Sequence, residues 1–264
     1  MTKPAVFISG AAAGIGKATA ERFAAEGWFV GVYDVDVAGA TALVEQLGSD
    51  CAAGGRLDVT KPEEWEQALA DFAAASGGRL DLLINNAGIL RAGRLTEVPL
   101  AQHQLTIDIN VGGVINGCWS AYPYLKATPG SGVINICSAS AIYGQPEITS
   151  YSASKFAVRG FTEGLELEWR KEGIRVQAVW PLWVNTGLLD GNDTTSHETL
   201  GVNLTVEDVA DQLVAMARKP SLLDKVKPTK VHTAVGMPAK TLATLADLVP
   251  SFLTREVNRF IAKA

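Results

Sequence analysis

Short, continuously apolar runs rich in β-branched residues alternate along this chain with longer stretches of helical period, and no other feature restricts the fold so strongly. Runs at residues 4–9, 28–34, 80–85, 132–137 and 174–179 lack the in-out alternation of a half-exposed strand and read as strands covered on both faces. A weaker run at 51–57 is diluted by Gly54 and Gly55, and a last one lies at 231–235. Between the first two, Ile15, Ala18, Thr19, Ala20 and Phe23 recur at helical spacing, with Gly27 where a C-cap glycine belongs. Residues 63–75, 100–126, 150–171 and 206–218 read as further helices. The repetition of strand, helix and strand predicts an α/β fold, a doubly wound parallel sheet with helices on both faces. At 264 residues, 47% of them hydrophobic, the chain has material for one such domain and its core, and no repeat or linker divides it. The unpatterned stretch 187–205 is expected to be a mobile substrate loop, and residues 237–264 an amphipathic C-terminal segment.

The same composition argues against several functions. A formal charge of −5, with no run of Lys or Arg, offers no footprint for nucleic acid. Cys51, Cys118 and Cys137 are far apart and set in apolar sequence, and His103, His197 and His232 have no second ligand at metal-binding spacing. Neither a disulfide framework nor a metal is expected. The N-terminus runs straight into the first strand without the charged and apolar regions of a signal peptide. The lipophilic stretch 234–253 is broken by Pro238, Lys240, Asp247 and Pro250, short of a membrane span. A cytoplasmic location is the expectation.

Directly after the first strand comes Gly10-Ala11-Ala12-Ala13-Gly14-Ile15-Gly16, which opens the first helix. Glycines so placed let the backbone turn tightly and approach a pyrophosphate at the positive end of that helix. A turn of this kind alone is also a common packing device. Asp34, however, ends the second strand eighteen residues past Gly16, where a carboxylate accepts the ribose hydroxyls of an adenosine. The same carboxylate repels a 2′-phosphate, and Val35 beside it brings no compensating charge. The expected cofactor is therefore NAD, in a Rossmann-type site with contacts from Gly10, Ala13, Gly14, Ile15, Gly16, Asp34 and Val35.

Tyr151 and Lys155 stand four apart on an expected helix, which places them on one face. A unit charge at ~4 Å is worth on the order of 4 kcal/mol at an effective dielectric of ~20. On that reasoning the lysine brings a phenol, ordinarily near ~10, toward neutrality. Tyr-x-x-x-Lys occurs by chance on many helices, so the third member carries weight. Ser138 ends the 132–137 strand, thirteen residues before the tyrosine, at the sheet edge where open α/β folds bind ligands.

With these residues in order and at spacing, the chain resembles the short-chain dehydrogenase/reductase family over roughly residues 6–186. The resemblance implies that Tyr151 exchanges a proton with the substrate oxygen, Lys155 lowers its pKa and binds the nicotinamide ribose, and Ser138 hydrogen-bonds the carbonyl or alkoxide. It implies that Asn110 completes a catalytic tetrad by holding a water. It further implies adenine contacts from Asp58 and Val59, a cofactor border at Asn86, Ala87 and Gly88, and contacts from Pro181, Val184 and Thr186. The same resemblance implies a homotetramer or dimer, with residues 100–126 and 150–171 as candidate interface helices, the alternative being that their apolar faces belong to the core.

One departure stands out: where the family usually has Pro-Gly after the sixth strand, this chain has Pro181-Leu182, which adds bulk close to the expected nicotinamide. The side chains expected around the substrate, Tyr143, Leu182, Trp183 and Leu188 beside Ser138 and Tyr151, are apolar or aromatic. Ile142 and Leu189 extend this character; the apolar tail 241–261 has surface to cover the cavity mouth, with packing against the body or a neighbouring subunit as the favoured alternative. The implied activity is NAD-dependent interconversion of a bulky, hydrophobic secondary alcohol and its ketone. The rival readings are an NADP-linked carbonyl reductase, disfavoured by Asp34, and a non-catalytic dinucleotide sensor, which would be expected to lack a catalytic side chain.

Overall fold

The first strand, β1 (Ala5–Ser9), is buried along its whole length because its side chains feed two cores at once. Ala5 and Phe7 join a layer with Trp65, Phe72, Leu83, Val158 and Trp180, while Val6 and Ile8 join one with Phe23, Val30, Val32, Leu43 and Leu213. Helices on both faces of a parallel sheet produce this arrangement. The computed structural model describes residues 3–189, 192, 194, 201, 204–218, 230–236, 239–241, 244 and 259.

After β1 come α1 (Gly14–Ala25), β2 (Phe29–Asp34), α2 (Val37–Leu47), β3 (Ala52–Arg56), α3 (Pro62–Ser76) and β4 (Leu82–Asn85). They are followed by α4 (Leu100–Ile107), α5 (Gly113–Ala127), β5 (Gly132–Ile136), α6 (Thr149–Trp169), β6 (Arg175–Pro181), α7 (Val206–Ala217) and β7 (His232–Val235). The seven strands pair in the order β3-β2-β1-β4-β5-β6-β7, every pairing parallel. The winding runs outward from β1 to β3, returns beside β1 at β4 and proceeds the other way. A crevice opens where the winding reverses, at the carboxyl ends of β1 and β4.

The doubly wound parallel sheet is as expected, and the glycine-diluted run at 51–57 does form β3. The expectation of one helix over 100–126 is corrected. A π-helical turn, Asp108–Gly112, separates α4 from α5. Within it, Asn110 accepts from the Ile89 N–H and donates to the Ile89 carbonyl, both at 2.9 Å, so the side chain ties the turn to the segment after β4. Most of the loop expected at 187–205 and of the segment expected at 237–264, including Leu242, Leu245 and the later apolar tail residues, lies outside the described residues. No described helix is long and apolar enough to cross a membrane.

Candidate active site

The crevice continues into a cavity of about 530 Å³, and one end of it is built by the glycine turn. Gly10 has φ +66°, a conformation that L side chains rarely adopt, and a Cβ there would lie 2.7 Å from the Ala87 Cα. Asn86 clamps the turn from the neighbouring strand end, its side-chain N–H groups donating to the carbonyls of Ser9 (3.0 Å) and Gly10 (2.7 Å). Gly16 serves this packing and does not line the cavity: a Cβ on it would strike the Gly10 carbonyl and lie 2.6 Å from the Asn86 Nδ2.

No side chain caps the start of α1, its first turn carries no acidic residue, and Ala13, Gly14 and Ile15 line the cavity. Uncapped N–H groups at a helix start, with their positive dipole end, fit an anionic pyrophosphate. Asp34 lies in the same wall, with Oδ2 accepting from Ala12 N–H (2.9 Å) and Oδ1 from Asp36 N–H (3.0 Å). These two bonds fix the carboxylate's orientation. Val35 beside it is exposed, and Arg56, opposite Asp34 in the β2–β3 register, reaches toward Glu64 at 3.5 Å and does not line the cavity. Asp58, Val59, Asn86, Ala87 and Gly88 continue the lining, as do Pro181, Val184 and Thr186 opposite them. The residues at this end fit a dinucleotide.

Further along the wall are Ser138, Tyr151 and Lys155. Ser138 follows β5, and its Oγ accepts from the Ser140 N–H at 3.1 Å, which begins the short helical turn Ala139–Ala141. Tyr151 and Lys155 are carried on one face of α6, and with Ser138 they line the same stretch of wall. Burial pushes the phenol above its ordinary value, the nearby Ser138 hydroxyl opposing the shift. Burial likewise lowers the pKa of the Lys155 ammonium.

The expectation that the lysine charge brings the tyrosine toward neutrality is therefore corrected. The Lys155 Nζ donates to the Ile136 carbonyl at 2.9 Å and lies 5.4 Å from the Tyr151 ring centroid. Burial of the phenol is the largest cause of its shift and acts in the direction opposite to that expectation.

Two other expected residues do not face the cavity. Asn110 is 1% exposed, and besides its two bonds to Ile89 its Nδ2 donates to Ser154 Oγ at 3.1 Å, so its side chain braces α6 against the segment after β4. Tyr143 is absent from the lining: it is buried, its hydroxyl has no hydrogen-bond partner among the described residues, and burial pushes its pKa up to about 12. Ile142 packs against Ala139, Ala234 and Ala239 instead of lining the cavity, and the Leu189 side chain lies outside the described residues.

Leu182, Trp183 and Leu188 do line it, the first and last packed against a buried group of Leu90, Ile148, Tyr151 and Trp183. The sequence reading missed Leu90, Arg91, Ser140, Gln145 and Asn192 in this lining. Gln145 donates through Nε2 to Ser140 Oγ at 3.1 Å, and Asn192 accepts from the Ala92 N–H at 2.9 Å and donates to the Leu188 carbonyl at 3.0 Å. These residues carry no spacing signal, because only the fold brings their loops together.

Comparison with known proteins agrees with this geometry. A family profile described as short chain dehydrogenase matches residues 4–197. D-threitol dehydrogenase of Mycolicibacterium smegmatis is 36% identical over 183 residues, 69% of this chain and 70% of that protein. The 3-alpha-(or 20-beta)-hydroxysteroid dehydrogenase of Mycobacterium tuberculosis shows the same identity and coverage. Among solved structures, the 3-ketoacyl-(acyl-carrier-protein) reductase from Brucella melitensis, complexed with NADH, superposes with a TM-score of 0.79 at 26% identity, covering 89% of this chain and 98% of that one. Matched over most of its length by the profile and by proteins named as dehydrogenases, the chain belongs to the short-chain dehydrogenase family and is an oxidoreductase that uses a nicotinamide dinucleotide.

Proposed function

We propose that the protein is an NAD(H)-dependent dehydrogenase, a single catalytic domain that interconverts a hydrophobic or aromatic secondary alcohol and its ketone. The observation that carries this reading is that Ser138, Tyr151 and Lys155 line one cavity whose wall continues into the glycine turn and Asp34. The bound dinucleotide supplies the hydride. Tyr151, kept protonated by burial, donates its proton to the carbonyl oxygen during reduction and takes it back during oxidation. Ser138 hydrogen-bonds the same oxygen, and Lys155 holds the nicotinamide ribose and supplies positive charge beside the phenol. Asn110 acts through position, keeping the π turn and α6 in register.

Two relatives point to different substrates, a polyol for one and a steroid for the other. The apolar group of Leu90, Ile148, Trp183 and Leu188 beside Tyr151 favours the bulky apolar class. Asp34 favours NAD over NADP, since a 2′-phosphate meets like charge and loses hydrogen bonds worth about 1.5–3 kcal/mol each. Ile115, Trp119 and Leu167 are exposed on α5 and α6, which supports these helices as the contact between copies in a tetramer or dimer. All three cysteines are free thiols, which suits the cytoplasm.

The test is ketone-dependent oxidation of NADH and NADPH, followed by absorbance, with wild type and Asp34→Ala. A preference for NADH of at least about a hundredfold in kcat/KM, shrinking in the variant, is expected from two lost charge-assisted bonds. Equal use of both cofactors by the wild type would remove Asp34 from the ribose.

A further inference from the structure

Leu182 directly follows β6, where the family pattern carries glycine, and its side chain stands between two apolar groups. On one side it packs against the group of Leu90, Ile148, Tyr151 and Trp183. On the other it packs against Ala139, Ala234 and Ala239, which are 1%, 7% and 0% exposed. These three alanines come from separate segments: the turn after Ser138, the third residue of β7, and the residues beyond that strand. Their small side chains form a niche that accommodates the bulk added at position 182. With close-packed neighbours on both sides, the leucine has little room to retreat when a ligand presses on it. It lines the cavity together with Ser138, Ala139 and Tyr151, next to the atoms assigned to proton transfer.

We propose that Leu182, seated in this alanine niche, is a specificity-determining residue that closes the cavity on the Ser138 side. The enzyme then takes unsymmetrical ketones with one large apolar substituent, held by Leu90, Trp183 and Leu188, and one short substituent, held by Leu182 and Ala139. This rests on the ketone-reductase reading above and adds a size limit to it. A limit set by a seated side chain is steep, because a methylene that does not fit an apolar pocket is discriminated by roughly tenfold to 200-fold.

The test uses acetophenone, propiophenone and butyrophenone with NADH, which share the aryl group and lengthen only the short substituent. In the wild type, kcat/KM falls by at least about tenfold from acetophenone to propiophenone. In Leu182→Ala the fall shrinks to less than about threefold, since the wall recedes by most of a side chain. Ala234→Val fills the niche from behind and drives the leucine into the cavity, so the fall becomes steeper than in the wild type. This second variant moves the profile in the opposite direction and decides the matter if Leu182→Ala does not fold. A wild-type profile that is flat across the three ketones, or variant profiles that superimpose on the wild type, overturns the assignment of Leu182 while leaving the ketone-reductase reading intact. Failure of the wild type to reduce any of the three, or any other ketone, overturns both.

Discussion

Replacing Gly10 by alanine probes how the glycine turn is held, and its cost can be worked from two separate contributions. The residue sits at φ +66°, and forcing an L side chain into that region costs about 1–2 kcal/mol. The new Cβ also lies 2.7 Å from the Ala87 Cα and 3.0 Å from the Ala87 N, backbone atoms that cannot rotate away. Parting the two strand ends adds about 1–3 kcal/mol of overpacking. Gly27→Ala separates the contributions: its φ is +80°, but no described atom lies within 4 Å of the added Cβ, so only the backbone cost of about 1–2 kcal/mol applies.

Urea unfolding of the two variants should therefore show Gly10→Ala less stable than Gly27→Ala by about 1–3 kcal/mol. The same displacement pulls the Gly10 carbonyl from Asn86 and moves the start of α1, so NADH affinity, read by fluorescence titration, should fall by roughly tenfold to a hundredfold, as expected for a misplacement near 1 Å. Gly27→Ala should bind NADH as the wild type does. Equal destabilisation of the two variants, with unchanged NADH affinity in Gly10→Ala, would refute the close approach of the turn to Ala87.

The remaining predictions concern the proton donor. Tyr151→Phe should abolish ketone reduction while leaving NADH binding largely intact, and turnover within tenfold of wild type would exclude Tyr151 as the donor; the tenfold line is about 1.4 kcal/mol of barrier. Lys155→Ala should lower both turnover and NADH affinity, and loss of only one would contradict its two contacts. Because burial raises the Tyr151 pKa, its phenolate population grows only as pH rises into the alkaline range; alcohol oxidation, which needs the phenolate, should accelerate with pH above neutrality. An oxidation rate that is highest below pH ~7 would contradict this sign.

Most of the fold and the outline of the site follow from the sequence alone. Continuous apolar runs such as 4–9 and 132–137 specify buried parallel strands because side chains on both faces must be covered, a requirement local enough to be written residue by residue. The glycine turn, Asp34 and the Tyr151/Lys155 pair are equally local, each defined by a fixed spacing within one strand-to-helix step or one helical turn. Tertiary structure decided what lies between segments. It showed Gly54 of β3 as a close approach, since a Cβ there would strike the Val32 carbonyl. It turned Asn110 into a brace across three segments, buried Tyr143 outside the lining, and brought Ser140, Gln145 and Asn192 into it. It also reversed the expected shift of Tyr151, because the phenol is buried. Spacing along one helix fixes which side chains share a face, whereas burial and hydrogen-bond partners depend on strands far apart in the chain, and those set the protonation state and the walls of the cavity.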